Sequence, residues 1–108
     1  MTHMPCPQYR YENDELMCEK VSLSALAKEF GTPLYVYSKS ALLDAFNVYR
    51  TILQDTPHLV CYALKANANL AIIELLAQAG AGFDIVSGGE LSRVLAAGGN
   101  PHKVIYSG

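Results

Sequence analysis

From Pro33 onward the hydrophobic pattern alternates between runs of strand length and stretches of helical period, which leaves few folds open to the chain. Leu34-Tyr35-Val36-Tyr37 has the length and composition of a short strand. The stretch after it places Ala41, Leu42, Ala45, Phe46, Tyr49, Ile52 and Leu53 on one helical stripe. Leu59-Val60-Cys61-Tyr62-Ala63-Leu64 is a continuous apolar run, the pattern of a parallel strand buried on both faces. Asn69 is placed to cap a helix that turns Leu70, Ile73, Leu76 and Ala77 inward and ends at Gly80. A further strand spans residues 82–86, and Ser87 begins a helix that carries Leu91, Val94 and Leu95 and stops at Gly98. Val104-Ile105-Tyr106 then opens a fourth strand. Crossovers of this length join parallel strands through right-handed connections, so the pattern predicts an α/β protein with parallel strands alternating with helices.

The first 32 residues read differently. Tyr9-Arg10-Tyr11 and Leu16-Met17-Cys18 are short extended pieces around the turn-prone Glu12-Asn13-Asp14-Glu15. A lone hairpin is marginal in water and needs another sheet to pack on. Ser22 is placed to cap a helix with Leu23, Leu26, Ala27 and Phe30 on one face, which Gly31 stops and Pro33 keeps from resuming. Residues 1–32 are therefore expected to form an N-terminal hairpin and helix, and residues 33–108 the first βα units of a larger sheet. A closed barrel of eight βα units takes about 250 residues. Four strands cannot close one, so the 108 residues are expected to be part of a barrel or a chain that folds with partners.

Composition narrows the function classes. With 51% hydrophobic and 17% charged residues the sequence is core-forming, and a formal charge of −2 leaves no basic footprint for nucleic acid or an anionic membrane. The longest apolar run, residues 59–64, is too short to span a bilayer. Cys6, Cys18 and Cys61 are odd in number and far apart, which predicts reduced thiols and a cytoplasmic setting. Small-molecule chemistry is the expectation that remains.

Lys65 directly follows the apolar run. In parallel α/β barrels the carboxyl ends of the strands build the active-site face, although a lysine there could equally reach water along its own aliphatic stem. Asp84 stands near the end of the next strand, where it could share that face or satisfy backbone donors of the adjacent loop. Ser87-Gly88-Gly89-Glu90 has the spacing of a capping box, a structural role for Glu90. Gly80-Ala81-Gly82 follows a helix and has Ile85 where a dinucleotide fingerprint would place its third glycine, so that reading fails. Gly88-Gly89 could receive an anion on open N–H groups, but close packing is the reading preferred. His3, His58 and His102 lack ligand spacing and are assigned to the surface, and no metal site is expected.

Four segments together carry a resemblance. They are Gly31-Thr32-Pro33-Leu34-Tyr35-Val36-Tyr37, Tyr62-Ala63-Leu64-Lys65-Ala66-Asn67, Gly82-Phe83-Asp84-Ile85-Val86-Ser87-Gly88-Gly89-Glu90-Leu91, and Tyr106-Ser107-Gly108. In order and spacing they resemble the pyridoxal-phosphate (PLP) dependent decarboxylases of the alanine-racemase-like barrel fold. The paired glycines before Glu90 and the Ser107-Gly108 ending look like the diaminopimelate branch rather than the ornithine and arginine branches. The resemblance implies the N-terminal part of a PLP-binding (β/α)8 barrel, with residues 1–32 packing on a C-terminal β domain. It implies Lys65 as the residue that holds PLP as an imine and Asp84 as a neighbour of the cofactor. It also implies conversion of meso-2,6-diaminopimelate to L-lysine and carbon dioxide by a cytoplasmic homodimer. The alternatives are another basic-amino-acid decarboxylase, a racemase of the same fold, or a non-catalytic PLP-binding relative. The phosphate loop, the acid for the pyridine nitrogen and the substrate residues are expected beyond Gly108, so the 108 residues alone are expected to be inactive.

Overall fold

The computed structural model describes residues 6–108, and His3 lies outside them. The chain divides into two compact units, Met1–Asp44 and Ala45–Gly108.

In the first unit, strands β1 (Tyr9–Glu12) and β2 (Glu15–Cys18) form an antiparallel hairpin that pairs Tyr9 with Cys18 and Glu12 with Glu15. Asn13 and Asp14 turn the chain with φ of 49° and 63°. Two consecutive left-handed residues match the twist of the flanking strands, and Asn and Asp tolerate that region better than most side chains. The pattern of the sequence did not reveal β3 (Val21–Ser22), which pairs antiparallel with β2 to make three strands. Two residues are too few to show a period.

Helix α1 (Leu23–Phe30) begins where expected. The Ser22 hydroxyl accepts the Ala25 N–H, and Gly31, at φ 82°, ends the helix as its N–H donates to Ala27 O. Leu34-Tyr35-Val36-Tyr37 is not a strand: a strand exists through ladder bonds, and among the described residues this segment has no ladder partner. It is tied instead by the Tyr9 hydroxyl, which donates to Val36 O at 2.8 Å. Helix α2 (Lys39–Ile52) starts from Ser38, whose buried hydroxyl accepts the Ala41 N–H and donates to Glu19 Oε2 at 2.8 Å. These bonds, the hydroxyl first and the Ser40 N–H next, hold the Glu19 carboxyl below its usual range. The anion also lies at the positive end of the helix dipole.

The second unit holds the parallel sheet. Strands β4 (Cys61–Ala63), β5 (Gly82–Ile85) and β6 (Val104–Tyr106) pair in sequence order, with Tyr62 beside Phe83 and Phe83 beside Val104. Helix α3 (Leu70–Gln78) links the first two strands, and α4 (Gly88–Ala96) links the second pair. The α/β reading with parallel strands and intervening helices therefore holds.

Two details depart from expectation. The strand expected over residues 59–64 is only Cys61–Ala63 and is half-buried rather than covered on both faces, while Leu64–Ala66 forms a single 3₁₀ turn. In α3, Ile72, Ile73 and Leu76 are buried and Leu70 is 45% exposed, because Leu70 opens the first turn just past its cap.

Registered neighbours in a sheet share a face, and successive residues alternate. Phe83 and Ile85 therefore lie on one face, and Cys61, Ala63, Gly82, Asp84 and Ile105 on the other. Leu64, Ile73, Phe83 and Val94 are fully enclosed and form the centre of the core. Gly99 fits closely over it: a Cβ there would stand 2.4 Å from Val94 Cγ1 and 3.2 Å from Phe83 Cε2. The Phe83 face is thus the one that α4 covers, and Asp84 lies on the opposite face. Among the described residues no helix is long and apolar enough to cross a membrane.

Candidate functional site

Lys65 is the middle residue of the 3₁₀ turn that ends β4. Leu64 before it is completely buried, which fixes the backbone, whereas Lys65 itself is exposed. An anchored backbone with a free side chain holds a primary amine at the carboxyl end of a parallel strand. The turn runs into Asn67, Ala68 and Asn69, and Asn69 caps α3 by accepting the Ala71 N–H at 2.9 Å.

Asp84 stands across from Ala63 in the register, on the strand next to the one that delivers Lys65. The topology therefore brings both residues to the carboxyl edge of adjacent strands. Asp84 Oδ1 is buried and has no hydrogen-bond partner among the described residues. A buried unsatisfied acceptor costs about 1–3 kcal/mol, so it stands ready for a donor. The alternative in which Asp84 satisfies nearby backbone donors gains no support at this oxygen.

Cys61 shares the face of Asp84, two residues before Ala63, the register partner of Asp84. Burial, and then the Asp84 charge, push the Cys61 thiol up from its ordinary pKa. The sequence alone places Cys61 in an apolar strand as a reduced thiol. Its place on this face follows from strand parity, but its proximity to Asp84 needs the register. A raised thiol pKa means less thiolate at a given pH and slower alkylation. Cys61 should therefore react slowly with iodoacetamide, and Asp84→Asn should speed the reaction. Peptide-resolved alkylation rates at pH 8 check this. An unchanged Cys61 rate in Asp84→Asn would separate the two side chains.

Glu90 takes the structural role read from its spacing. The Ser87 hydroxyl accepts the Glu90 N–H, and the Glu90 carboxylate accepts the N–H of Val86, one residue before the position of an ordinary capping box. This fixes the loop from β5 into α4, just beyond Asp84. His58 and His102 are exposed. Among the described residues, no group of three or more His, Cys, Asp or Glu is placed to hold a metal ion. A groove of about 690 Å³ in the first unit, lined in part by Pro7, Arg10, Leu26 and Val36, contains neither Lys65 nor Asp84.

The residues present fit PLP. The cofactor is an aldehyde that a protein holds through a primary amine, and an exposed amine is offered here at a strand end, beside a strand that carries an orphaned carboxylate oxygen.

Residues 39–108 match the family model described as pyridoxal-dependent decarboxylase, pyridoxal binding domain. The chain belongs to the pyridoxal-dependent decarboxylase family, and the matched domain gives its cofactor as PLP. It is 53% identical over 100 residues to a diaminopimelate decarboxylase of Pseudomonas fluorescens, covering 93% of this chain and 24% of that one. It is 61% identical over 93 residues to one of Neisseria meningitidis, covering 86% and 23%. Among solved structures, the M. jannaschii diaminopimelate decarboxylase in complex with L-lysine superposes with a TM-score of 0.84 at 36% identity, over 91% of this chain and 24% of that one. The chain thus spans about a quarter of the length of these relatives. Its fold is the N-terminal part of their PLP barrel.

Proposed function

We propose that the full-length protein carrying this chain decarboxylates meso-2,6-diaminopimelate to L-lysine and carbon dioxide, with PLP held covalently at Lys65 Nζ. The observation that carries the reading is the exposed amine of Lys65 on its anchored turn, within a domain matched to the pyridoxal-binding family model. The substrate comes from the identity of 53% and 61% to diaminopimelate decarboxylases. Asp84 Oδ1, buried and unpartnered, accepts a hydrogen bond from the Lys65 amine or from the cofactor beside it and so orients the reacting nitrogen.

PLP supplies an electron sink for the pair left behind when the α-carboxylate departs. The chain's own share is placement. Leu64 and the 3₁₀ turn set where the amine sits, Asp84 sets its direction, and the buried Phe83 face keeps β5 rigid beneath it. Holding the reacting groups in a fixed geometry is part of what a protein supplies to such a cofactor.

The proposal extends to organisation. Residues 1–32 form the N-terminal hairpin and helix that pack on a C-terminal β domain, and residues 33–108 supply the first βα units of the barrel. The enzyme is a cytoplasmic homodimer with an amino-acid substrate. Support comes from large apolar side chains that the chain leaves uncovered, such as Tyr35 at 89% exposed, Ile52 at 73% and Tyr106 at 68%.

Carbon dioxide release by the PLP-loaded full-length protein tests the function. The kcat/KM for diaminopimelate should exceed those for ornithine and arginine by about a hundredfold or more, the discrimination expected when a site must pair the second carboxylate that ornithine and arginine lack. Comparable release from ornithine would overturn the substrate, and no release from any of the three would overturn the reaction.

A further inference from the structure

The turn that carries Lys65 is followed by two backbone carbonyls, and each is tied to a side chain from a different element of the second unit. The Tyr62 hydroxyl, from β4, donates to Asn67 O at 2.8 Å. Arg93 Nη1, from α4, donates to Ala68 O at 3.1 Å across 25 residues of sequence. Between these points Asn67 Oδ1 accepts the Asn69 N–H at 3.0 Å. Upstream, Leu64 is enclosed by the core. Lys65 thus lies on a short arch with Leu64 at one foot and the tethered Asn67 and Ala68 carbonyls at the other.

We infer that Tyr62 and Arg93 are positioning residues that fix the Lys65 turn. This rests on the assignment of Lys65 as the residue that holds PLP. Neither side chain is asked to touch cofactor or substrate; both act through the backbone. A 3₁₀ turn has poorer hydrogen-bond geometry than an α-helix and rarely persists beyond a few residues. It therefore gains rigidity from partners outside itself. The bond from Arg93 is charge-assisted, the stronger kind, and it makes the orientation of α4 part of what sets the Lys65 turn. Because α4 also begins at the loop that Glu90 and Ser87 fix just beyond Asp84, one helix braces both edges of the site.

Tyr62→Phe, Arg93→Met and Arg93→Lys in the full-length protein test the inference with three readouts. The first is hydrogen exchange at the amides of residues 66–70 in the PLP-free protein, which does not depend on what Lys65 binds. It should quicken at least tenfold in Tyr62→Phe and in Arg93→Met, and less in Arg93→Lys, which keeps a charged donor. The second is the circular dichroism that bound PLP acquires from its fixed orientation, which should fall in the same order. The third is kcat, which should drop about tenfold to a hundredfold, as expected for a small displacement of a reacting group, with KM changed less than threefold. Unchanged exchange in both Tyr62→Phe and Arg93→Met would overturn the inference, as would equal losses in Arg93→Lys and Arg93→Met. Should Arg93→Met fail to fold, Tyr62→Phe and Arg93→Lys carry the same comparison. Altered exchange with unaltered PLP dichroism and kcat would uphold the tether but overturn its positioning role. Mapping PLP to its lysine in the unmodified protein identifies separately any failure of the Lys65 assignment.

Discussion

Lys65→Ala in the full-length protein should lower turnover on the order of 10³-fold or more, the scale for losing a group that acts at the reacting centre. The covalent absorbance of bound PLP should vanish with it. Lys65→Arg keeps the charge, but a guanidinium cannot replace the amine as a nucleophile toward an aldehyde, so it should fail equally. In the PLP-free state, thermal stability should change little in either variant, because Lys65 is exposed while Leu64 beside it holds the backbone. Substantial turnover in Lys65→Ala would show that another group holds the cofactor. Turnover lost together with a collapse of stability in the PLP-free protein would show that Lys65 serves the fold instead.

Phe83→Ala should produce the largest loss of stability among single core substitutions in the second unit, about 3–5 kcal/mol. Phe83 is the largest fully enclosed side chain, set in the middle strand of the parallel sheet against Val94 and the closely fitted Gly99. Truncation opens a cavity between the sheet and α4 that rigid neighbours cannot fill. Phe83→Leu restores much of the volume and should cost less than half as much. Denaturant midpoints of the full-length protein measure both. A loss below about 1 kcal/mol in Phe83→Ala would mean that this face is not the centre of the packing.

What the sequence made legible was mostly local. Ser22, Asn69 and Ser87 cap their helices as their positions imply, since a hydroxyl or amide needs only an N–H two or three residues ahead. Gly31, Gly80 and Gly98 end or follow helices at positive φ for an equally local reason. The parallel direction of β4, β5 and β6 was legible because helical crossovers of this length join parallel strands. Pairing between distant segments was less so. Leu34-Tyr35-Val36-Tyr37 has strand composition, but a ladder requires a neighbour, and composition does not supply one. The third strand of the hairpin sheet is two residues long and leaves no periodic signal.

The same distinction runs through the candidate site. Lys65 and Asp84 could be placed at one sheet edge from strand ends alone, and the register agrees. The bond from Arg93 to Ala68 could not, because on α4 Arg93 reads as an ordinary exposed cation in the last turn of a helix. The hydroxyl of Tyr62 is five residues from Asn67, close in sequence, yet only the 3₁₀ turn brings the two together, where a continuous strand had been expected. The unpartnered oxygen of Asp84 had no sequence signal, since it depends on which donors the fold fails to provide.

The most direct test of the account is to locate the PLP linkage. Borohydride converts the carbon–nitrogen linkage between cofactor and lysine into a stable secondary amine, so the reduced full-length protein can be digested and its peptides weighed. The account predicts the pyridoxyl mass on the peptide that contains Lys65, with the peptides of Lys39 and Lys103 unmodified. The label on any other lysine, with Lys65 unmodified, would contradict it.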